Sequence, residues 1–127
     1  MFQKLKDAVT KMASSPSFAE ISPQVAHDRV TAGYTLLVDV REPHEWRDTG
    51  LPSASAPIAL QDPDFLDKVL ALADGDKAKP IAVSCKSGMR GQKAAHLLRA
   101  AGFDAVSNVR GGFQSWADDR LPIEAYH

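Results

Sequence analysis

A chain of 127 residues can bury one hydrophobic core and is too short for two. Its apolar and charged fractions, 44% and 24%, match an ordinary globular domain and exclude a disordered chain. A net charge of −1, with no Lys/Arg block, argues against a broad nucleic-acid face, and one cysteine excludes an internal disulfide or a multi-cysteine zinc site.

Phe2, Leu5, Val9 and Met12 recur at helical spacing among Lys4, Lys6, Asp7 and Lys11, predicting a short amphipathic helix that Ser14-Ser15-Pro16-Ser17 ends. Residues 1–17 are read as this helix and a linker, 18–123 as the folded domain and 124–127 as a tail. The apolar stripe packs back on the domain, meets a partner or second copy, or lies on a membrane surface; the pattern leaves these open. No stretch has the apolar core of a signal peptide or the length of a membrane span. An unpaired thiol suits a reducing compartment, so the expected location is cytoplasmic.

Residues 18–21 read as a short strand, and Ser22-Pro23 as an N-cap with proline at the first helical position. The helix that follows ends at Gly33 and carries His27, which has no second ligand at metal spacing and is expected on a solvated face. Thr35-Leu36-Leu37-Val38-Asp39-Val40 is the near-continuous apolar run of a buried parallel strand. Arg41 and Glu45 are spaced for a charge pair over one helical turn, and Trp46 is expected in the core or at a pocket rim. A short strand over 54–58 precedes a helix from Asp62-Pro63 whose stripe is Phe65, Leu66, Val69, Leu70 and Leu72. Residues 105–109 form another strand, and Gly111-Gly112 turns into a helix bearing Phe113 and Trp116. Alternating strands and helices make this an α/β domain with a largely parallel sheet of about five strands, covered on both faces.

The organising stretch is Ile81-Ala82-Val83 running into Cys85, then Lys86-Ser87-Gly88-Met89-Arg90-Gly91, then a helix that Gly102 stops. A thiol thus ends a strand directly before a helix N-terminus, where free backbone N–H groups and the macrodipole favour an anion. Gly88 and Gly91 allow the loop to curl its N–H groups inward, and Arg90 adds a permanent charge. Cys85 alone reads as a small buried hydrophobe; the glycines, the basic residue and the helix start together read as a nucleophile beside an anion site. Ligands of such folds bind outside the strands' carboxyl ends, where Asp39 and Cys85 both fall.

The loop resembles the active-site loop of the rhodanese (sulfurtransferase) family, Cys-x-x-Gly-x-Arg. Three further segments carry the resemblance in the family's order: Asp39-Val40-Arg41-Glu42-Pro43-His44-Glu45-Trp46, Gly50-Leu51-Pro52 through Ala56-Pro57-Ile58, and Gly111-Gly112-Phe113-Gln114-Ser115-Trp116 with Leu121-Pro122. Leu51 stands where the family has histidine and Ser53 where it has a second glycine. The resemblance implies a rhodanese-like fold of the single-domain type and transfer of sulfane sulfur from thiosulfate or a related donor. Cys85 would be the nucleophile and carry a persulfide; Lys86, Ser87, Gly88, Met89, Arg90 and Gly91 would cradle the sulfur and the donor's oxygens. Asp39, Arg41 and Glu45 would orient the loops, without a histidine base from His44. No cofactor or metal is implied. With no second cysteine to discharge the persulfide, the acceptor comes from outside as cyanide, a small thiol or a protein thiol.

Two other classes stay open: a non-catalytic binding module of this fold, and a Cdc25-like phosphatase or arsenate reductase. The phosphatase pattern is Cys-x₅-Arg, whereas Arg90 stands five positions after Cys85 and Gly91 six, a loop one residue shorter.

Overall fold

The computed structural model describes residues 17–127, so the amphipathic pattern of Phe2, Leu5, Val9 and Met12 lies outside the described residues. The chain order is β1 (Ala19–Ile21), α1 (Pro23–Thr31), β2 (Leu36–Asp39), α2 (Pro43–Thr49), β3 (Leu51–Pro52), β4 (Ser55–Pro57), α3 (Phe65–Leu72), β5 (Ile81–Ser84), α4 (Met89–Ala100), β6 (Val106–Val109), α5 (Gly112–Asp118) and β7 (Ile123–Glu124). A five-stranded sheet runs β1-β6-β5-β2-β4, parallel throughout.

Side-chain alternation along the strands divides the core between the two faces. Val38, Ile81 and Val83 pack with Phe65 and Val69 of α3 and Ala94, Ala95 and Leu98 of α4. Leu37, Ala82 and Val109 pack with Ala26 of α1 and Trp116 of α5. Every residue of β5 and β6 is buried, as in a strand covered on both sides.

Local signals account for the helix ends. Ser22 Oγ accepts from Val25 N–H ahead of Pro23, the predicted cap. Gly102 takes a left-handed φ of +99°, and buried Phe103 returns its N–H to Leu98 O. His27 departs from expectation: it is half-buried and meets Trp116 edge-on at 5.6 Å.

Residues 124–127 are also not a free tail. Glu124 and Ile123 pair antiparallel with Leu51 and Pro52, and Tyr126 packs edge-on against Trp46 at 5.4 Å. Leu51 is accordingly buried in a satellite cluster with Trp46 and Ala59.

Candidate active site

Cys85 follows Ser84, the last residue of β5, and Ser84 is in register with Asp39 at the end of β2. Both side chains therefore stand at the carboxyl edge of the sheet. Gly88 is the N-cap of α4 with φ +119°, a conformation that strains a residue bearing a Cβ. Its N–H donates to Cys85 Sγ at 3.0 Å, while its carbonyl starts the helix by accepting from Gln92 N–H. An oriented amide and a twelve-residue helix's positive end thus meet at the sulfur. The sulfur is also enclosed: Cys85 is 1% exposed and contacts the apolar cluster of Val83, Ala94 and Ala95.

The loop is held from the far side by α5. Phe113 N–H donates to Cys85 O at 2.7 Å and Gln114 N–H to Lys86 O at 3.0 Å. Two otherwise unpaired donors of the α5 N-terminus are used here on protein carbonyls. Gly112 makes the approach possible, since a Cβ there would overlap the Cys85 carbonyl and φ is +57°. Gly91 serves a different purpose from the predicted curl. It lies inside α4 without a left-handed φ, and any Cβ would overlap the Asn108 side chain.

The predicted Arg41–Glu45 pair does not form, because each partner is taken by another group. Arg41, 2% exposed, gives Nε to both oxygens of fully buried Asp39 at 3.1 Å and Nη2 to Asp39 Oδ2 at 2.8 Å. Its remaining donors reach Thr49 Oγ1 and Gly50 O, both at 2.9 Å. Trp46 Nε1 also donates to Asp39 Oδ1 at 3.2 Å, which ties the end of β2 to α2. The Arg41 guanidinium lies 4.3 Å from the Phe113 ring centroid, a cation–π contact that joins this knot to α5. Asp39 and Arg41 are fully engaged with each other and with the surrounding backbone.

Glu45 reaches across to the first turn of α4. Arg90 Nη1 and Nη2 meet Glu45 Oε1 and Oε2 at 2.6 and 2.9 Å. These bonds hold the Glu45 carboxyl down to about 2, while its partner is raised in turn. Expected as a ligand for a donor's oxygens, Arg90 has both terminal nitrogens on a protein carboxylate. Lys86 is exposed and takes part in no ion pair among the described residues. It lines a cleft of about 640 Å³ with His44, Glu45, Phe113, Gln114 and Asp118.

His44 sits exposed on that cleft, and Gly88 N–H is the hydrogen bond that Cys85 Sγ receives among the described residues. Glu42, His44 and Glu45 bring ligand-type atoms within 4.8 Å of one another, but Glu45 is occupied by Arg90 and by the Glu42 N–H of a capping box. That trio is a helix start. None of the described helices is long and apolar enough to cross a membrane.

Sequence reasoning missed the α5 clamp and Asn108. Asn108 is a polar residue in a fully buried strand, and such a residue calls for a buried partner. Its Nδ2 donates to Gly88 O at 3.2 Å.

Fold and site together define a parallel α/β domain that presents a cysteine at the head of a helix inside an amide-bearing loop. The rhodanese-like domain model matches residues 22–119, and the chain belongs to that family. It is 33% identical over 110 residues to thiosulfate sulfurtransferase GlpE of Actinobacillus pleuropneumoniae serotype 7, covering 87% of this chain and 96% of that protein. It is 35% identical over 115 residues to chloroplastic thiosulfate sulfurtransferase 16 of Arabidopsis thaliana, covering 84% and 93%. Among solved structures, the polysulfide-sulfur transferase homodimer of Wolinella succinogenes superposes with a TM-score of 0.71 at 27% identity, over 98% of this chain and 90% of that one.

Proposed function

We propose that this protein is a sulfurtransferase that moves sulfane sulfur from thiosulfate or a polysulfide to a thiol or cyanide through a persulfide on Cys85. The observation that carries the reading is the Gly88 N–H on Cys85 Sγ, 3.0 Å away at the head of α4. A donor in that place stabilises the Cys85 thiolate before it attacks and again when the acceptor returns it. Relatives named for sulfur transfer from thiosulfate and polysulfide support the same chemistry.

The Cys85 thiolate attacks the outer sulfur of thiosulfate, forming an S–S bond as the bond to the sulfonate breaks. Sulfite leaves with the electron pair, and the charge stays on the terminal sulfur of the persulfide. An acceptor thiolate or cyanide then attacks that sulfur and returns Cys85 as thiolate, a double displacement. The Gly88 N–H holds the anionic sulfur, the α5 clamp holds the loop, and Lys86 draws the dianionic donor to the cleft mouth. Cys85 is 1% exposed, so reaction with a donor requires local opening around the sulfur. A nucleophile that must stay unpaired fits a reducing compartment such as the cytoplasm.

Intact mass after incubation with thiosulfate, and separately with polysulfide, tests the reading. A gain of one sulfur on Cys85 that excess thiol removes, absent in Cys85→Ser, is expected. No gain from either donor, with Cys85 reduced and the chain folded, overturns it.

A further inference from the structure

Asn108 in β6 is fully buried. Its Nδ2 gives one hydrogen to Gly88 O at 3.2 Å and the other to the Glu20 carboxylate, at 2.9 and 3.2 Å from the two oxygens. Its Oδ1 is buried without a hydrogen-bond partner and packs on Gly91. For stability alone this is a poor residue. The unanswered acceptor costs free energy that an apolar side chain would not. What Asn108 does hold is Gly88, whose own N–H meets the Cys85 sulfur and which lacks a side chain to keep it in place.

We infer that Asn108, aimed by Glu20 from the edge strand β1, is a positioning residue that holds the Gly88 N–H on the Cys85 sulfur. The inference rests on Cys85 as nucleophile and extends the site across two strands to a carboxylate outside the loop. Glu20 sets which way the amide faces: its oxygens accept from Nδ2, so the nitrogen rather than the oxygen turns to the Gly88 carbonyl. Without that bond Gly88 has only the Gln92 N–H on its carbonyl, and the contact to sulfur loosens.

The test follows the iodoacetamide alkylation rate of Cys85 against pH in the full chain, with thermal unfolding of each variant alongside. In Asn108→Ala the profile's midpoint is expected to move up by roughly one pH unit, because a hydrogen bond to the charged sulfur is lost. The thermal midpoint stays within a few degrees of wild type. Glu20→Ala, at a half-buried edge position, shifts the profile the same way by less, and Glu20→Gln, which keeps an acceptor, stays near wild type. Arg90, whose charge acts on Cys85, and its partner Glu45 are unchanged in all three variants, as are Lys86, Asp39 and Arg41. Loss of the Glu20 charge alone would move the midpoint down, so an upward shift reports the Gly88 bond. Profiles of Asn108→Ala and Glu20→Ala that overlay wild type overturn the inference; if Asn108→Ala does not fold, Glu20→Ala decides alone. Alkylation is read apart from sulfur uptake. A shifted profile in a protein that takes no sulfur keeps the positioning role and rejects the transfer reading, and uptake with coincident profiles does the reverse.

Discussion

Glu45 of α2 and Arg90 of α4 form a two-pronged ion pair at 2.6 and 2.9 Å that ties the wall of the cleft to the first turn behind Cys85. Paired geometry of this kind gives direction as well as charge neutralisation. It turns Arg90 from a free cation into a strut between two elements 45 residues apart.

The pair has a pH signature. Arg90 holds the Glu45 carboxyl at about 2 against an ordinary 4.5, so the folded state binds the proton less readily than the unfolded one. Its stabilisation is therefore full above about pH 4.5 and is lost as pH falls towards 2. With Arg90 a third exposed, the contribution is about 1 kcal/mol. Urea midpoints at about pH 5 and pH 3 should differ less in Glu45→Gln than in wild type. Equal differences would reject the assignment.

Asp39 and Arg41 form a second, fully buried pair, and its disruption is expected to be severe. Removing one partner of a buried pair leaves the other charge uncompensated, at about 3–5 kcal/mol. Asp39→Ala strands a guanidinium that is 2% exposed and takes the acceptor from Trp46 Nε1. Asp39→Asn keeps an acceptor and should cost less. Urea unfolding of the two variants checks the order; a loss below about 1 kcal/mol in Asp39→Ala would contradict the structural role.

How far this site could be read in advance depends on sequence separation. Ser22-Pro23, the apolar run ending at Asp39, and the strand, loop and helix around Cys85 are local patterns, and each appears where its residues place it. The spacing of Arg41 and Glu45 suggested a one-turn pair, but both have better partners. Asp39 lies two residues before Arg41 and is buried with it, and Arg90 arrives only when β5 docks beside β2. The α5 amides on the Cys85 loop and the Asn108–Glu20 link follow from strand order β1-β6-β5, which no local pattern encodes. Gly91 was legible as a needed glycine, yet the reason, contact with Asn108, is tertiary.

Gly88 and Gly112 separate backbone strain from crowding. An alanine at either has an unfavourable φ, at about 1–2 kcal/mol. At Gly88 the nearest atom to the added methyl is 3.7 Å away, so Gly88→Ala should fold with a thermal midpoint lowered by roughly 5 °C. At Gly112 the methyl would overlap the Cys85 carbonyl and displace the loop. Gly112→Ala should therefore lose sulfur uptake by intact mass under conditions where Gly88→Ala still shows it. The opposite order would mean that the α5 clamp does not hold the loop.

Lys86 and Arg90, the two cations that follow Cys85, are expected to play different parts in turnover, and steady-state kinetics should tell them apart. Read from the loop alone, Arg90 is the stronger oxyanion ligand, and its removal should weaken thiosulfate turnover more. With both terminal nitrogens on Glu45, its charge is compensated, whereas Lys86 is exposed at the cleft with no ion-pair partner among the described residues. A free charge near a dianion in high dielectric is worth about 1 kcal/mol, roughly fivefold in affinity. Lys86→Ala should raise KM for thiosulfate by about that factor, with kcat little changed and the dependence of KM on salt reduced. Arg90→Ala should instead lower kcat, because the first turn behind Cys85 loses its strut, and should leave the salt dependence in place. A KM increase confined to Arg90→Ala would return the donor-binding role to that residue and require the Glu45 pair to open when thiosulfate binds.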